Sequence, residues 1–184
     1  KKQQSWLVLG IVLLALVLDQ VSKVYIKTHF QLGEAREVFS WFWIVFVENN
    51  GMAFGIEWFS KLLLTLFRII AVGVIGWYMH TMIHKQQVRT GYLITIAMVM
   101  AGAMGNIIDC VFYGKIWEYA GWFHGRVVDM LYFPLIRNAA GECVFFRPVF
   151  NIADSFITVA VFLIIIFYRK DLDESLNQIF PKKQ

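Results

Sequence analysis

Four stretches of the chain, residues 6–26, 62–83, 92–111 and 150–168, each hold about as many apolar residues as a helix needs to cross roughly 30 Å of hydrocarbon. With 59% hydrophobic residues among 184 and a mean hydropathy of +0.60, little remains from which to build an aqueous domain beside them. Three prolines, thirteen glycines and no low-complexity tract leave no evident linker. The sequence therefore predicts one integral membrane domain over 1–184: an all-α polytopic protein with four transmembrane helices and two longer loops, 27–61 and 112–149.

A net charge of +4 raises the question of nucleic acid, but the basic residues form no stripe. Topology accounts for them better. Lys1 and Lys2 precede the first span, Lys85 and Arg89 lie between the second and third, and Arg169 and Lys170 follow the fourth. Alternating spans put all three places on one side, which the positive-inside rule makes cytoplasmic, so the expected topology is N-in/C-in with both longer loops outside. The first span starts with basic residues, but "LDQVSK" follows it where a small-x-small cleavage site would stand, so it reads as a retained helix. Cys110 and Cys143 both fall on the outer side; two free thiols is the default expectation, with a disulfide as the alternative in an oxidising compartment.

The outer loops are not ordinary aqueous loops. "EVFSWFWIVFVENNGMAFGI" is β-branched and aromatic and ends in Asn-Asn-Gly, so it reads as a strand followed by a turn. A small β-rich extracytoplasmic element at the membrane surface, with Trp41, Trp43 and Trp58 at headgroup level, is expected. Trp117, Tyr119, Trp122 and Phe123 repeat the theme in the second loop; a belt of interfacial aromatics and a substrate platform both fit. Between spans two and three, "HKQQVRTG" is short enough to make them neighbours, and "AGAMGN" gives span three the small residues that let helices approach closely.

Polar residues within the spans gather toward one face: Asp19 and Lys23, Arg68, Asn106 and Asp109, Asn151 and Asp154. Such residues must face the bundle interior or water. Each also has an ordinary reading. Asp19 and Lys23 form an i,i+4 ion pair, Arg68 snorkels, Asn106 and Asp109 bond neighbouring helices, and Asp154 meets a helix N-terminus. Asp129 in "VVDML" is harder to explain, being a carboxylate flanked by apolar residues outside any span. With Asp154 it makes a pair of acids at one water–lipid boundary. Two close carboxylates share a proton near neutral pH; one then activates water while the other polarises a carbonyl and helps an amine leave.

Other chemistries fit less well. His80 and His84 have zinc-helix spacing, but "HTMIH" lacks the glutamate of the metalloprotease motif and lies at the cytoplasmic end. Ser155 with Lys23 has no local serine–lysine signature. A proton-coupled transporter would place its carboxylates near the midplane, not at one face. A pure scaffold would tolerate Asp→Asn changes throughout.

"DQVSK", "NNGMAFG", "GAMGNIID", "VVDM" and "FNIAD" occur in that order. Together they resemble the motifs of the bacterial lipoprotein signal peptidase (type II signal peptidase) family, over nearly the whole chain. That resemblance implies an aspartic endopeptidase of the bacterial inner membrane with its site at the extracytoplasmic face. It would cleave diacylglyceryl-modified prolipoproteins before the lipidated cysteine. It would need no metal, cofactor or nucleic acid, and would work as a monomer among phospholipids. The motifs carry over Asp129 and Asp154 as catalytic; Asn49, Gly51, Asn106, Asp109 and Asn151 as substrate-binding or supporting; and Asp19 with Lys23 as a stabilising polar pair; Arg126, outside these motifs, is added as a supporting candidate. One position departs: many members have arginine after the aspartate of Asn-x-x-Asp, where this chain has Cys110, leaving Arg126 and Arg68 as candidates to supply the charge. "GKIWEYAGWFHGR" reads as an insertion, a candidate helix over the site.

Overall fold

The apolar runs fold into helices longer than their hydropathy alone marks. In a computed structural model describing residues 1–50, 59–85, 88–138, 143–145 and 148–181, α1 spans Lys2–His29, α2 Phe59–Lys85 and α3 Thr90–Ile108. The third span continues past α3 through a π-turn, Asp109–Tyr113, and a single helical turn, α4, Gly114–Ile116. The fourth begins as α5, Ile152–Leu163, passes through a second π-turn at Ile164–Tyr168, and ends as α6, Arg169–Ile179. Four long apolar helices result, as the sequence predicts, but they overrun the expected ends because polar first and last turns stay helical. In α6 that polar extension reaches eleven residues past the expected span.

Central to the bundle is α3, which packs against α1, α2 and α5. Its small residues make this possible. A methyl group added at Gly102 would lie 2.4 Å from the Ala153 carbonyl oxygen, and one at Gly105 would lie 2.5 Å from an Asp19 carboxylate oxygen. The spans alternate in direction, as contacts at one end show. Lys1 Nζ donates to the His84 carbonyl (2.6 Å), Tyr78 and Tyr92 hydroxyls meet at 2.7 Å, and Arg89 pairs with Asp171. Apolar packing at this end joins Val12, Met82, Tyr92 and Ala97.

At the other end lies a four-stranded antiparallel sheet in the order β1–β2–β3–β6, formed by Ala35–Phe39, Phe42–Asn49, Val127–Tyr132 and Val149–Phe150. A separate pair, β4 (Ile136–Arg137) and β5 (Cys143–Phe145), lies between β3 and β6 in sequence. The first outer loop is thus a hairpin rather than the expected single strand: it reverses at Ser40–Trp41. Asn49 ends β2, where the sequence places a turn, and Val47 opposite Asp129 sets the β2–β3 register. Under the sheet, Ile26, Phe30, Phe46, Val128 and Met130 form a second apolar core. Trp58 lies outside the described residues.

The segment "GKIWEYAGWFHGR" does not cover the site with a helix. Only Gly114–Ile116 is helical, and the rest folds back onto the end of span three: Phe123 N–H donates to Val111 O (3.0 Å) and Gly125 N–H to Cys110 O (2.9 Å). These loop donors satisfy carbonyls that a helix terminus would otherwise leave open. Gly125 must be glycine, since a Cβ there would sit 1.9 Å from the Asp109 carbonyl oxygen.

Candidate active site

The polar residues singled out in the spans, Arg68 apart, meet in one connected network under the sheet. At its centre is Lys23, fully buried, whose three ammonium protons each find an acceptor: Asp19 Oδ2 (2.8 Å), Asp109 Oδ2 (2.8 Å) and Asn106 Oδ1 (3.0 Å). The i,i+4 pair expected on α1 is real, but it is also a bridge to α3. Asp19 Oδ1 accepts from Ala153 N–H (2.9 Å), fixing the first turn of α5, and Asp109 Oδ2 accepts from Val128 N–H (3.2 Å), fixing β3. One buried cation thereby locates the two elements that carry Asp154 and Asp129. A buried charge survives only when paired and hydrogen-bonded in this way.

Gln20 completes the inner network, and the sequence reading passed over it. Its amide donates to Asp19 Oδ2 (3.0 Å), Asp109 Oδ1 (3.0 Å) and Gly105 O (3.2 Å), while its oxygen accepts from the Tyr113 hydroxyl (3.1 Å). An uncharged amide inside a span was the available signal.

Two carboxylates make no direct bond to that cation. Asp129 presents Oδ1 to Asn151 Nδ2 (2.7 Å) and Oδ2 to Asn49 Nδ2 (3.2 Å). Asp154 Oδ1 accepts from Asn106 Nδ2 (2.8 Å). Asn151 caps α5 and closes a reciprocal box: its Oδ1 accepts from Asp154 N–H (2.9 Å) and its own N–H donates to Asp154 Oδ2 (3.3 Å). The remaining Asn151 amide proton goes to Asn106 Oδ1 (3.1 Å). A single asparagine, fully buried, therefore touches both acids and the third amide.

The electrostatics follow from this wiring. Lys23's positive charge is taken up by Asp19 and Asp109, and only asparagine amides bond the Asp129 and Asp154 carboxylates among the described contacts. Burial, and then the nearby Asp154 charge, push Asp129 up to about 6, against the hydrogen bonds from Asn151 and Asn49 and a smaller pull from Lys23. A carboxyl so placed keeps a proton well above the ordinary carboxylate range, which is the condition for one acid and one base in a pair of identical side chains.

The arginines lie elsewhere. Arg126 pairs with Glu48 (3.0 Å) and covers the Tyr119 ring (5.3 Å), and Lys27 joins the same glutamate while facing the Phe46, Trp117 and Tyr119 rings. Glu48 and Lys27, which the sequence reading did not single out, thus tie α1, β2 and the second outer loop together. Burial raises the Glu48 carboxyl, but its bonds to Lys27 and Arg126 outweigh this and leave it below the ordinary range. Arg68 points into the bundle rather than snorkelling: its Nη1 donates to Cys110 Sγ (3.2 Å), one helical turn beyond Asn106. Cys110 is buried with a free thiol. Gly51 lies outside the described residues. His80 and His84 stack ring on ring at the far end (4.2 Å), and no cluster suited to a metal occurs among the described residues.

Comparison with known proteins gives this arrangement a context. The family model described as signal peptidase (SPase) II matches residues 11–169. A lipoprotein signal peptidase of Porphyromonas gingivalis is 42% identical over 95% of this chain and 88% of its own. Another, from Amoebophilus asiaticus, is 35% identical over 96% and 83%. Two solved bacterial membrane enzymes share the fold. One has a TM-score of 0.68 at 29% identity, covering 96% of this chain and 93% of that one; the other scores 0.66 at 31%, covering 86% and 90%. Five ordered motifs, four spans and a family match over most of the length lead to one conclusion: the chain belongs to the signal peptidase II family of lipoprotein signal peptidases.

Proposed function

We propose that this protein cleaves the signal peptide from diacylglyceryl-modified prolipoproteins just before the lipidated cysteine, using Asp129 and Asp154 to activate water. The observation that carries the reading is Asn151, which bonds both carboxylates while the network's one buried ammonium is engaged by two other acids. In this reading one carboxylate takes a proton from water as the oxygen attacks the scissile carbonyl carbon. The other gives its proton to the carbonyl oxygen, forming a tetrahedral diol. Proton transfer to the peptide nitrogen then breaks the C–N bond, freeing the signal peptide's carboxylate and the cysteine's amine.

Supporting roles divide by position. Asn49, Asn106 and Asn151 orient the acids, and Gly51 follows Asn49 in the same motif. Asp109, with Asp19 and Lys23, holds β3 and α5 in place. Arg126, directly before β3 and beside Glu48 of β2, meets the part of the substrate beyond the membrane. The whole chain acts as one domain and as a monomer in the bacterial inner membrane. Both termini are cytoplasmic, and the acids lie at the extracytoplasmic face, where a lipid-anchored cleavage site also lies.

The test is cleavage of a purified diacylglyceryl prolipoprotein by the detergent-solubilised protein, at equal folded amounts. Asp129→Asn and Asp154→Asn are each expected to lose activity by about 10²–10⁴-fold or more. Wild-type rates in either variant would sink the dyad.

A further inference from the structure

An apolar groove of about 830 Å³ runs between α1 and α5 beneath the sheet, within the usual size of a ligand cleft. We propose that it is a binding site for a resident membrane phospholipid, whose acyl chain braces the two elements that carry Asp129 and Asp154. The occupant must be hydrocarbon. The groove's two serines are turned to backbone: Ser22 Oγ donates to Asp19 O (2.7 Å) and Ser155 Oγ to Asn151 O (2.9 Å). What remains is apolar, and water needs two or more polar partners to enter such a space. Val21 and Val159 on its lips are half-exposed on two spans, so the groove opens sideways to lipid.

Its position relative to the acids separates a resident lipid from a substrate chain. On α5 it is lined by Ile152, Ser155, Phe156 and Val159, and at about 100° per residue these share one flank. Asp154 lies on the opposite flank, across the Ala153 ridge that packs on α3. An acyl chain of the cysteine being cleaved would have to pass around α5 to reach the groove. A lipid that stays there has no such detour.

The mouth suits a glycerolipid. Tyr25 lines it half-exposed, and among the described residues its hydroxyl has no hydrogen-bond partner, so it is available to an ester or phosphate oxygen. The roof is Ile44 and Leu131; Leu131 pairs with Phe150, which belongs to a run of stacked rings through Phe133 to Trp41 and Phe39. Aromatic side chains of this kind settle at the headgroup level. Met130 and Leu131 follow Asp129 directly and Ile152 and Ser155 bracket Asp154, so an acyl chain filling the groove supports both acids from behind.

The test compares wild type, the groove-filled variant Val21→Trp/Val159→Trp and a control, Val74→Trp, on an exposed face of α2. Native mass spectrometry follows delipidation and addition of phosphatidylethanolamine. Wild type and control are expected to retain one phospholipid per chain and the filled variant none. Equal retention in all three, or none in wild type, overturns the site. Stoichiometric displacement of the retained lipid by diacylglyceryl substrate would instead make the groove the substrate's and overturn the resident lipid. Retention is read without any activity, so it stands apart from the peptidase reading; only a second arm rests on it. In that arm, delipidated wild type is expected to cleave severalfold more slowly until phospholipid returns, while the filled variant is indifferent. Equal lipid dependence in both would overturn the brace.

Discussion

Asparagine does most of the work around the acids, and its chemistry makes the site's response to pH legible. Asn49 donates to Asp129 and so favours the ionised carboxylate, partly offsetting the burial and the Asp154 charge that together raise this group to about 6. In the free enzyme, kcat/KM is therefore expected to fall as pH rises through about 6, as the pair loses its remaining proton. Asn49→Ala removes a donor to the charged form and is expected to move that alkaline limb upward; a limb that stays put or moves down counts against Asp129 as its source. The same shift bears on stability. The folded state holds this proton more tightly than the unfolded chain, so its contribution is fully present below about pH 4 and is lost as pH rises through about 6. Asp129→Asn should accordingly flatten the fall in melting temperature across that window. Lys23 poses the opposite case: Lys23→Met would leave two buried carboxylates facing each other, and the expected cost is about 3–5 kcal/mol, measured as unfolding in detergent. An unchanged midpoint would mean the network is not held by its cation. Asp154, Asn106 and Asn151 could be picked out in the sequence because polar residues stand out in a span and Asp129 because its neighbours are apolar, whereas Asn49 was legible only through the motif "NNGMAFG". Gln20 escaped notice because, beside Asp19 and Lys23 near a helix end, one more polar residue looks ordinary.

Elements were less legible than residues, for identifiable reasons. The four spans follow from length and hydropathy, yet nothing in "DCVFY" announces the π-turn that begins at Asp109: every residue after the aspartate is apolar or aromatic, so no polar–apolar phase exists whose shift could be read. Such turns recur at functional sites. The β1–β2 hairpin was hidden because its two-residue link, Ser40–Trp41, has neither glycine nor asparagine, the residues that normally mark such turns. The close packing of α3 was legible: small residues at Gly102 and Gly105 read as a helix contact, and each is closed against a neighbour. Gly105→Ala tests how tight that contact is. Its methyl group would press on Asp19, whose carboxylate is held by Lys23, Gln20 and the Ala153 N–H and cannot swing aside cheaply. A loss of about 1–3 kcal/mol is expected, with activity falling as α5 shifts. A neutral result in thermal unfolding would show that Asp19 gives way.

At the scale of the whole molecule the two ends differ in how their basic residues are used. On the sheet side Lys27 and Arg126 share Glu48 and Arg36 pairs with Glu34, so these three positive charges are tied to acids of the same surface. The other end carries Lys1, Lys2, Lys85, Arg89, Arg169 and Lys170 close to the ends of spans, where positive charge sets orientation most strongly, and of these Arg89 is paired with Asp171. The sheet and the paired acids should therefore face away from the cytoplasm. Single cysteines at Glu37, Glu118, Lys2 and Lys170, in a chain with Cys110 and Cys143 replaced by serine, would test this in intact cells with a membrane-impermeant maleimide. Labelling is expected at the first two and not at the last two until the membrane is permeabilised. The reverse pattern would put Asp129 and Asp154 on the cytoplasmic side, where a lipoprotein precursor already passed through the membrane would never meet them, and the proposed reaction would fail on geometry before any question of chemistry arose.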